Sequence, residues 1–179
     1  MGRFMNHKKW VVALALIATA LILTHLPVSE ADAAASASDF QIEGSTLTKY
    51  RGSDERVTIP DTVEVVGESA FENNQKVQLV VVPKSVKRMD AYVFWGCDNL
   101  EEVVLGKGLT SVDEYAFSGC TGLKQITIPE NVQSIDAQAF AGCTNLTDIY
   151  IPDTVTSIAD DAFLNCDNVT IHADEGSVA

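Results

Sequence analysis

Apolar positions recur with a period of 23 residues along most of the chain. Short segments such as Ile126-Thr127-Ile128 and Ile149-Tyr150-Ile151 alternate apolar and polar residues, which is typical of strands with one buried side. Phenylalanine keeps one position of the period, at Phe71, Phe94, Phe117, Phe140 and Phe163. Cysteine keeps another, at Cys97, Cys120, Cys143 and Cys166. This pattern predicts a solenoid of stacked coils, in which each coil buries its apolar side chains against its neighbours.

Proline and glycine mark the turns of each predicted coil. Pro83, Pro129 and Pro152 follow the alternating segments, and proline ends a strand because it has no N–H to donate. Glycine recurs in the Ala-Phe-x-Gly-Cys segment, where it suits a backbone with positive φ. The glycines concerned are Gly96, Gly119 and Gly142. We expect this segment to turn the chain through one helical or 3-10 turn.

One full repeat reads Ile128-Pro129-x-x-Val132-x-x-Ile135-x-x-x-Ala139-Phe140-x-Gly142-Cys143-x-x-Leu146-x-x-Ile149. It resembles the BspA type of leucine-rich repeat, and the resemblance covers about residues 40–175. The resemblance implies an α/β-type solenoid of five 23-residue coils, with short parallel strands, small helical or 3-10 turns and an N-terminal β-hairpin cap. It also implies a bacterial surface or secreted protein that adheres to other molecules.

The chain begins with a basic segment and an apolar run from Trp10 to Leu23, followed by Ala31-Asp32-Ala33. This order is typical of a secretory signal peptide cleaved after Ala33, and an uncleaved membrane anchor is the alternative. Export would place the protein outside the cell or at its surface. The predicted organisation is a signal peptide at 1–33, a linker at 34–39, a cap at 40–59 that turns near residues 43–46, repeats at 60–175 and a tail at 176–179.

The formal net charge is −13 at pH 7, and acidic residues recur from Asp39 to Glu175. Phosphate backbones would be repelled, so we expect no nucleic-acid partner. An anionic membrane surface is disfavoured for the same reason. Membrane association is therefore expected only if the signal segment stays uncleaved.

The four cysteines share one position of the repeat, so we expect a ladder of buried, reduced thiols, with disulfides between neighbouring coils as the alternative. After signal cleavage His172 is the one remaining histidine, and we expect it to be an exposed residue of the last coil. No zinc site or other cofactor is predicted, since no C-x-x-C pair is present. Gly106-Lys107-Gly108 lacks the spacing of a phosphate-binding loop and is interpreted as a turn.

Two surfaces are candidates for partner binding. The first consists of the outward residues of the predicted sheet, which are Leu79, Val81, Glu102, Val104, Gln125, Thr127, Asp148 and Tyr150. Solenoids commonly bind along such faces, although Val, Thr and Tyr are also ordinary strand residues. The second is an aromatic patch of Tyr92, Trp95 and Tyr115, for which local packing is the alternative.

The leading hypothesis for function is a secreted or cell-surface module that binds an extracellular protein or glycan. A structural spacer within a larger surface protein is the alternative. A carbohydrate-active enzyme is a third possibility, because Glu102 and Asp148 are predicted to lie about 10 Å apart, near the separation used in inverting glycoside hydrolysis. An open sheet offers no pocket that would raise the pKa of a catalytic acid, so we do not expect an enzyme.

Overall fold

The computed structural model describes the backbone of residues 9–12 and all of residues 35–173. Residues 9–12 form the first strand, β1 (Lys9–Val12). A 3-10 helix, Ala37–Asp39, precedes an antiparallel hairpin of β2 (Phe40–Glu43) and β3 (Thr46–Tyr50). The hairpin predicted to turn near residues 43–46 is thereby confirmed. Apart from the backbone of β1, the predicted signal peptide lies outside the described residues.

Two rows of short parallel strands run along the stack. The front face consists of β4 (Arg56–Thr58), β6 (Leu79–Val81), β8 (Glu102–Val104), β10 (Gln125–Thr127), β12 (Asp148–Ile151) and β14 (Thr170–Ala173). The back face consists of β3 followed by β5 (Val65–Val66), β7 (Arg88–Met89), β9 (Ser111–Val112), β11 (Ser134–Ile135) and β13 (Ser157–Ile158). Strand β1 pairs in parallel with β14 at the C-terminal end of the front face.

The fold is the predicted solenoid, with three differences. Within residues 35–173 each face holds six strands, so the stack has about six turns where the sequence predicted five coils. The extra position on the back face is taken by β3, which pairs in parallel with β5.

The predicted helical turns are wrong, because turns and bends connect the strands, and the 3-10 helix before the cap is the single helix of the described residues. The back row of strands was not foreseen.

The absence of helix within the coils has a local cause. Each complete turn segment contains residues with positive φ, for example Tyr92 at 60° and Gly96 at 67°. A right-handed helix cannot continue through such residues. Gly119 and Gly142 also have positive φ, as predicted, and Asn73 and Asn165 occupy the same position in the first and last turn segments. Asparagine adopts this conformation more readily than most side chains do.

The backbone ladders of the two faces are interrupted at different coils. On the front face, β4, β6 and β8 form one sheet, and β10, β12 and β14 form another. On the back face, the hairpin continues into β5 and β7, while β9, β11 and β13 form a separate sheet. The coil that carries β8 and β9 therefore belongs to the N-terminal set at the front and to the C-terminal set at the back.

The core is built from columns of identical side chains. Phe71, Phe94, Phe117, Phe140 and Phe163 are all fully buried. Their rings stack on one another with centroids 5.1 to 5.4 Å apart. Tyr50 and Phe40 of the hairpin extend this column, so the hairpin covers the apolar end of the stack. The inward residues of the front face, such as Ile126 and Ile149, are buried, whereas Leu105 is partly exposed.

The cysteines form a second column beside the phenylalanines. All four are free and buried, which confirms the predicted thiol ladder. Each thiol donates to the carbonyl of a phenylalanine 26 residues earlier, as from Cys97 to Phe71 and from Cys120 to Phe94, both at 3.1 Å. Cys143 and Cys166 repeat this contact with Phe117 and Phe140. Each of these carbonyls also accepts from the backbone amide three residues further on, as Phe71 does from Asn74, so the thiol is its second donor.

Candidate binding surface

The outward residues of the front face form two columns. One contains Leu79, Glu102, Gln125 and Asp148, and the other contains Val81, Val104, Thr127 and Tyr150. The strand register aligns Leu79 with Glu102 and Gln125 with Asp148. All eight residues are exposed or partly exposed, because side chains of a strand alternate between the two sides of a sheet. The structure thus brings together the residues that the sequence singled out, and their role in binding stays a prediction.

The middle of this surface contains an exposed apolar side chain. Val104 is 41% exposed, which makes it one of three large apolar residues on the surface of the described chain. It lies between Val81, its partner in β6, and the polar strand β10. Single exposed apolar residues are common, but here Val81 and Val104 adjoin on one open face.

The columns extend further than the sequence indicated. Arg56 and Thr58 of β4 align with Leu79 and Val81 at the N-terminal end. At the other end, His172 of β14 aligns with Tyr150. The spacing of 22 residues between Tyr150 and His172, one less than the repeat, hid this alignment in the sequence. The sequence does show that the last repeat is one residue shorter. Aligning the strand residues of that repeat with those of β12, instead of counting 23 residues, would have placed His172 beside Tyr150.

His172 is not the exposed end residue that we expected. Its ring stacks on Tyr150 with centroids 4.4 Å apart and planes 12° apart. Its Nε2 lies 2.7 Å from Oδ1 of Asp148, and 18% of the histidine side chain is exposed. Thr147 donates to the other carboxylate oxygen of Asp148 at 2.8 Å. Hydrogen bonding by His172 and Thr147 lowers the pKa of Asp148 below its ordinary value, because both contacts favour the ionised form.

The rings of the aromatic patch contact one another, and a role of the patch in binding stays a prediction. The rings of Tyr92 and Tyr115 stack in parallel at 4.8 Å, and Trp95 meets Tyr92 edge-on at 6.4 Å. Trp95 is 39% exposed. The patch therefore combines local packing of the tyrosines with an accessible indole.

The carboxylate of Asp148 on the front face is held by His172 and Thr147. A cleft lies elsewhere, at the turns near Lys84. The thiols are buried in the core, and burial raises the pKa of Cys97 to about 12. A thiol with such a pKa is neutral at physiological pH and is a poor nucleophile.

Two further observations concern metals and membranes. Residues 35–173 contain no group of three or more His, Cys, Asp or Glu side chains arranged to hold a metal ion. No helix in the described part of the chain is both long and apolar enough to cross a bilayer.

Stacked coils of about 23 residues with aligned parallel strands define a leucine-rich-repeat solenoid. The model of the BspA type leucine-rich repeat region matches residues 45–170 in six copies, and the chain belongs to this family. The sixth copy agrees with the six strands on each face. Among curated proteins, none matches the sequence.

Solved structures of bacterial repeat proteins resemble the chain. A leucine-rich cell surface protein of Faecalibacterium prausnitzii A2-165 is 33% identical with a TM-score of 0.72, over 73% of this chain and 35% of its own. The T. pallidum leucine-rich repeat protein is 28% identical with a TM-score of 0.72, over 75% and 68%. A leucine-rich repeat protein of Bacteroides ovatus is 30% identical with a TM-score of 0.63, over 72% and 36%. The chain thus spans about a third of the length of two of these proteins.

Proposed function

We propose that the chain is an exported, non-enzymatic binding module that presents its front face to an extracellular protein or glycan at a bacterial surface. The observation that carries this proposal is the alignment of the outward side chains into two open columns, with Val104 exposed at their middle. Extended solenoid faces of this kind suit partners that lie across several coils.

The composition of the columns indicates what kind of partner fits. The N-terminal half is apolar at Leu79, Val81 and Val104, while Gln125 and Thr127 in the middle offer hydrogen-bonding groups. Tyr150 and His172 add a stacked aromatic pair. Aromatic and apolar anchors surrounded by polar groups are characteristic of protein-binding surfaces, so a protein segment is the favoured partner.

The surface location is supported by the relatives. The F. prausnitzii protein is described as a leucine-rich cell surface protein, and the apolar segment at residues 10–23 is consistent with export. A spacer role in a larger surface protein is the second candidate, since two of the relatives are about three times as long as the part that matches.

The test is binding to extracellular matrix proteins, mucin and glycans immobilised on a surface. Val104→Asp and Tyr150→Asp each place a carboxylate within the columns, and we expect each to weaken saturable binding at least tenfold. Thr110→Asp is the matched control, because Thr110 is an exposed position outside the front strands. If all three variants bind with the same affinity as the unmodified chain, the front face is excluded as the binding surface. A lack of saturable binding to any of these partners would favour the spacer.

A further inference from the structure

One cleft is lined by more basic than acidic residues, although the chain as a whole is acidic. The whole chain has 25 Asp and Glu residues against 12 Lys and Arg. The cleft has a volume of about 430 Å³ and lies at the turns that lead from the front face to the back face. Its lining consists of Asp61, Lys84, Ser85, Lys87, Lys107 and Gly108. Three lysines therefore line this cleft with one aspartate.

Two of these lysines occupy the same position of successive coils. Lys84 and Lys107 are 23 residues apart, and the other coils have Asp61, Glu130 and Asp153 at this position. Like charges at equivalent positions of adjacent chain segments repel one another. Lys107 is partly compensated by Glu130, with Nζ 3.7 Å from Oε2. Neither Lys84 nor Lys87 forms an ion pair with a residue in the described part of the chain.

Glycine at position 108 brings the two lysine-bearing turns together. A Cβ at Gly108 would collide with the carbonyl oxygens of Lys84 and Val86. Only glycine therefore allows this close approach between the turns. The side-chain amide of Asn131 donates to the carbonyl of Lys107 at 2.5 Å and holds the turn from the other side. The cleft is thus positioned by backbone packing and not by mobile side chains alone.

The serine of the cleft has an unsatisfied hydroxyl group. The oxygen of Ser85 is the one buried side-chain nitrogen or oxygen atom in residues 35–173 that lacks a hydrogen-bond partner. Buried polar groups in folded proteins almost always have a partner, so this hydroxyl indicates a missing one. Ser85 lies in the lining of the cleft, so a change of its χ1 rotamer would bring the hydroxyl to a ligand oxygen beside the lysines, which would accept from it.

We propose that this cleft binds a single sulfate or phosphate group carried by a small ligand such as a sugar ester. Lysine is a common point-charge donor to such groups, and a tetrahedral oxyanion offers enough oxygens for two lysines and Ser85. The Debye length is about 8 Å at physiological ionic strength, so the local lysines outweigh the distant acidic residues. A long polyanion would extend over the acidic surface and be repelled, which favours an isolated group.

The test is a titration of the ¹⁵N-labelled protein followed by NMR at 0.15 M sodium chloride. The probes are sodium sulfate, sodium phosphate, galactose 6-sulfate and galactose 6-phosphate, with galactose as the neutral control. We expect saturable shifts of the amides of Lys84, Ser85 and Gly108 with at least one ester, and the tighter ester identifies the group. The Lys84→Gln/Lys107→Gln double variant should weaken binding at least tenfold, whereas Lys124→Gln should leave it unchanged. Lys124 is a suitable control because it is exposed and pairs with Glu101.

Three outcomes would overturn the proposal. The first is that the amide shifts rise linearly, without saturation, with every anion up to 50 mM. The second is that the double variant binds the ester as tightly as the unmodified chain. The third is that galactose binds as tightly as its esters. Amide dispersion in the spectrum of the double variant checks that it is folded, and Lys84→Arg, which keeps the charge, should retain binding. The cleft and the front-face columns share no residue, so failure of the cleft proposal leaves the proposed function standing, and failure of the front-face variants leaves the cleft proposal standing.

Discussion

The rings of Phe117 and Phe140 lie face to face, with centroids 5.2 Å apart and planes within 4° of parallel. Both side chains are fully buried, and each also contacts the next ring along the column. One ring thus contributes to two interfaces between coils. Loss of a single ring should therefore loosen the contacts with both neighbouring coils.

Phe117→Ala and Phe140→Ala are each expected to lower the free energy of unfolding by about 3–5 kcal/mol, because a cavity opens where a buried ring is removed. Urea denaturation followed by circular dichroism measures the change. Trp95→Ala, which removes an aromatic ring that is 39% exposed, is the matched control and should cost much less. An unchanged unfolding midpoint in both phenylalanine variants would contradict the assignment of the core.

The four thiols should be inaccessible in the folded protein. We expect no reaction with Ellman's reagent at pH 8 in buffer and reaction of all four cysteines in 6 M guanidinium chloride, because each is buried and bonded to a phenylalanine carbonyl. The experiment is performed without reducing agent. Fewer than four thiols after denaturation would show that disulfides form, and rapid reaction of the folded protein would contradict their burial.

Alkaline pH should destabilise the fold through the same thiols. Burial raises the pKa of Cys97 from 9.0 to about 12, so the folded state retains a proton that the unfolded state loses above pH 9. The contribution of Cys97 to stability is therefore complete below pH 9 and declines as the pH rises towards 12, by about 1.4 kcal/mol per pH unit. Urea denaturation between pH 8 and pH 10 measures this slope.

Cys97→Ala is the matched variant for the alkaline effect. It should be less stable at pH 8, because the thiol and its contact with Phe71 are lost, but its stability should fall less steeply above pH 9. Burial also raises the pKa of Tyr50, but an unfolded tyrosine loses its proton only around its ordinary pKa of 10.0. Between pH 9 and pH 10 the loss of stability therefore comes mainly from the thiols. Identical slopes in the two proteins would exclude a role for Cys97.

The contact between His172 and Asp148 should appear in the titration of the carboxyl group. The pKa of Asp148 is lowered below 3.8, so its contribution to stability is complete above pH 3.8 and declines as the pH falls through the lowered pKa. His172→Phe keeps a ring to stack on Tyr150 but removes the hydrogen bond, and the pKa of Asp148 should rise towards 3.8. Carboxyl ¹³C shifts measure it. An unchanged value in the variant would show that Thr147 alone lowers this pKa.

Gly108→Ala should destabilise the protein more than Gly44→Ala. At Gly108 a Cβ meets the carbonyls of Lys84 and Val86, whereas at Gly44 the space is open and the cost comes from its φ of 63° alone. We expect a loss above about 2 kcal/mol at Gly108 and about 1 kcal/mol at Gly44. Thermal denaturation of both variants provides the comparison, and equal melting temperatures would argue against tight packing of the turns.

Much of this fold follows from the spacing of residues in the sequence. The columns of phenylalanine and cysteine, the hairpin turn at Gly44 and the positive φ of Gly96 all depend on local residue types that recur at fixed intervals. The outward positions of the front face follow too, because a strand alternates its side chains and the repeat fixes which strands adjoin.

Other features depend on contacts that spacing does not reveal. The back row consists of strands of two residues, such as Ser134–Ile135, which in sequence are indistinguishable from buried positions in a loop. The role of β3 as a further strand of that row depends on its pairing with β5, outside the regular repeat. His172 reaches Asp148 only because the last repeat is one residue shorter, and the lysine cleft arises where two coils happen to have the same charge.

The staggered interruption of the two ladders bears on how the molecule resists mechanical force. At the front the ladder is interrupted between β8 and β10, and at the back it is interrupted one coil earlier, between β7 and β9. At each interruption the strands of the opposite face are still paired. Within residues 35–173, tension along the stack therefore meets no cross-section at which both ladders are interrupted. The coil with β8 and β9 connects the two halves, because it is hydrogen-bonded to the N-terminal half at the front and to the C-terminal half at the back.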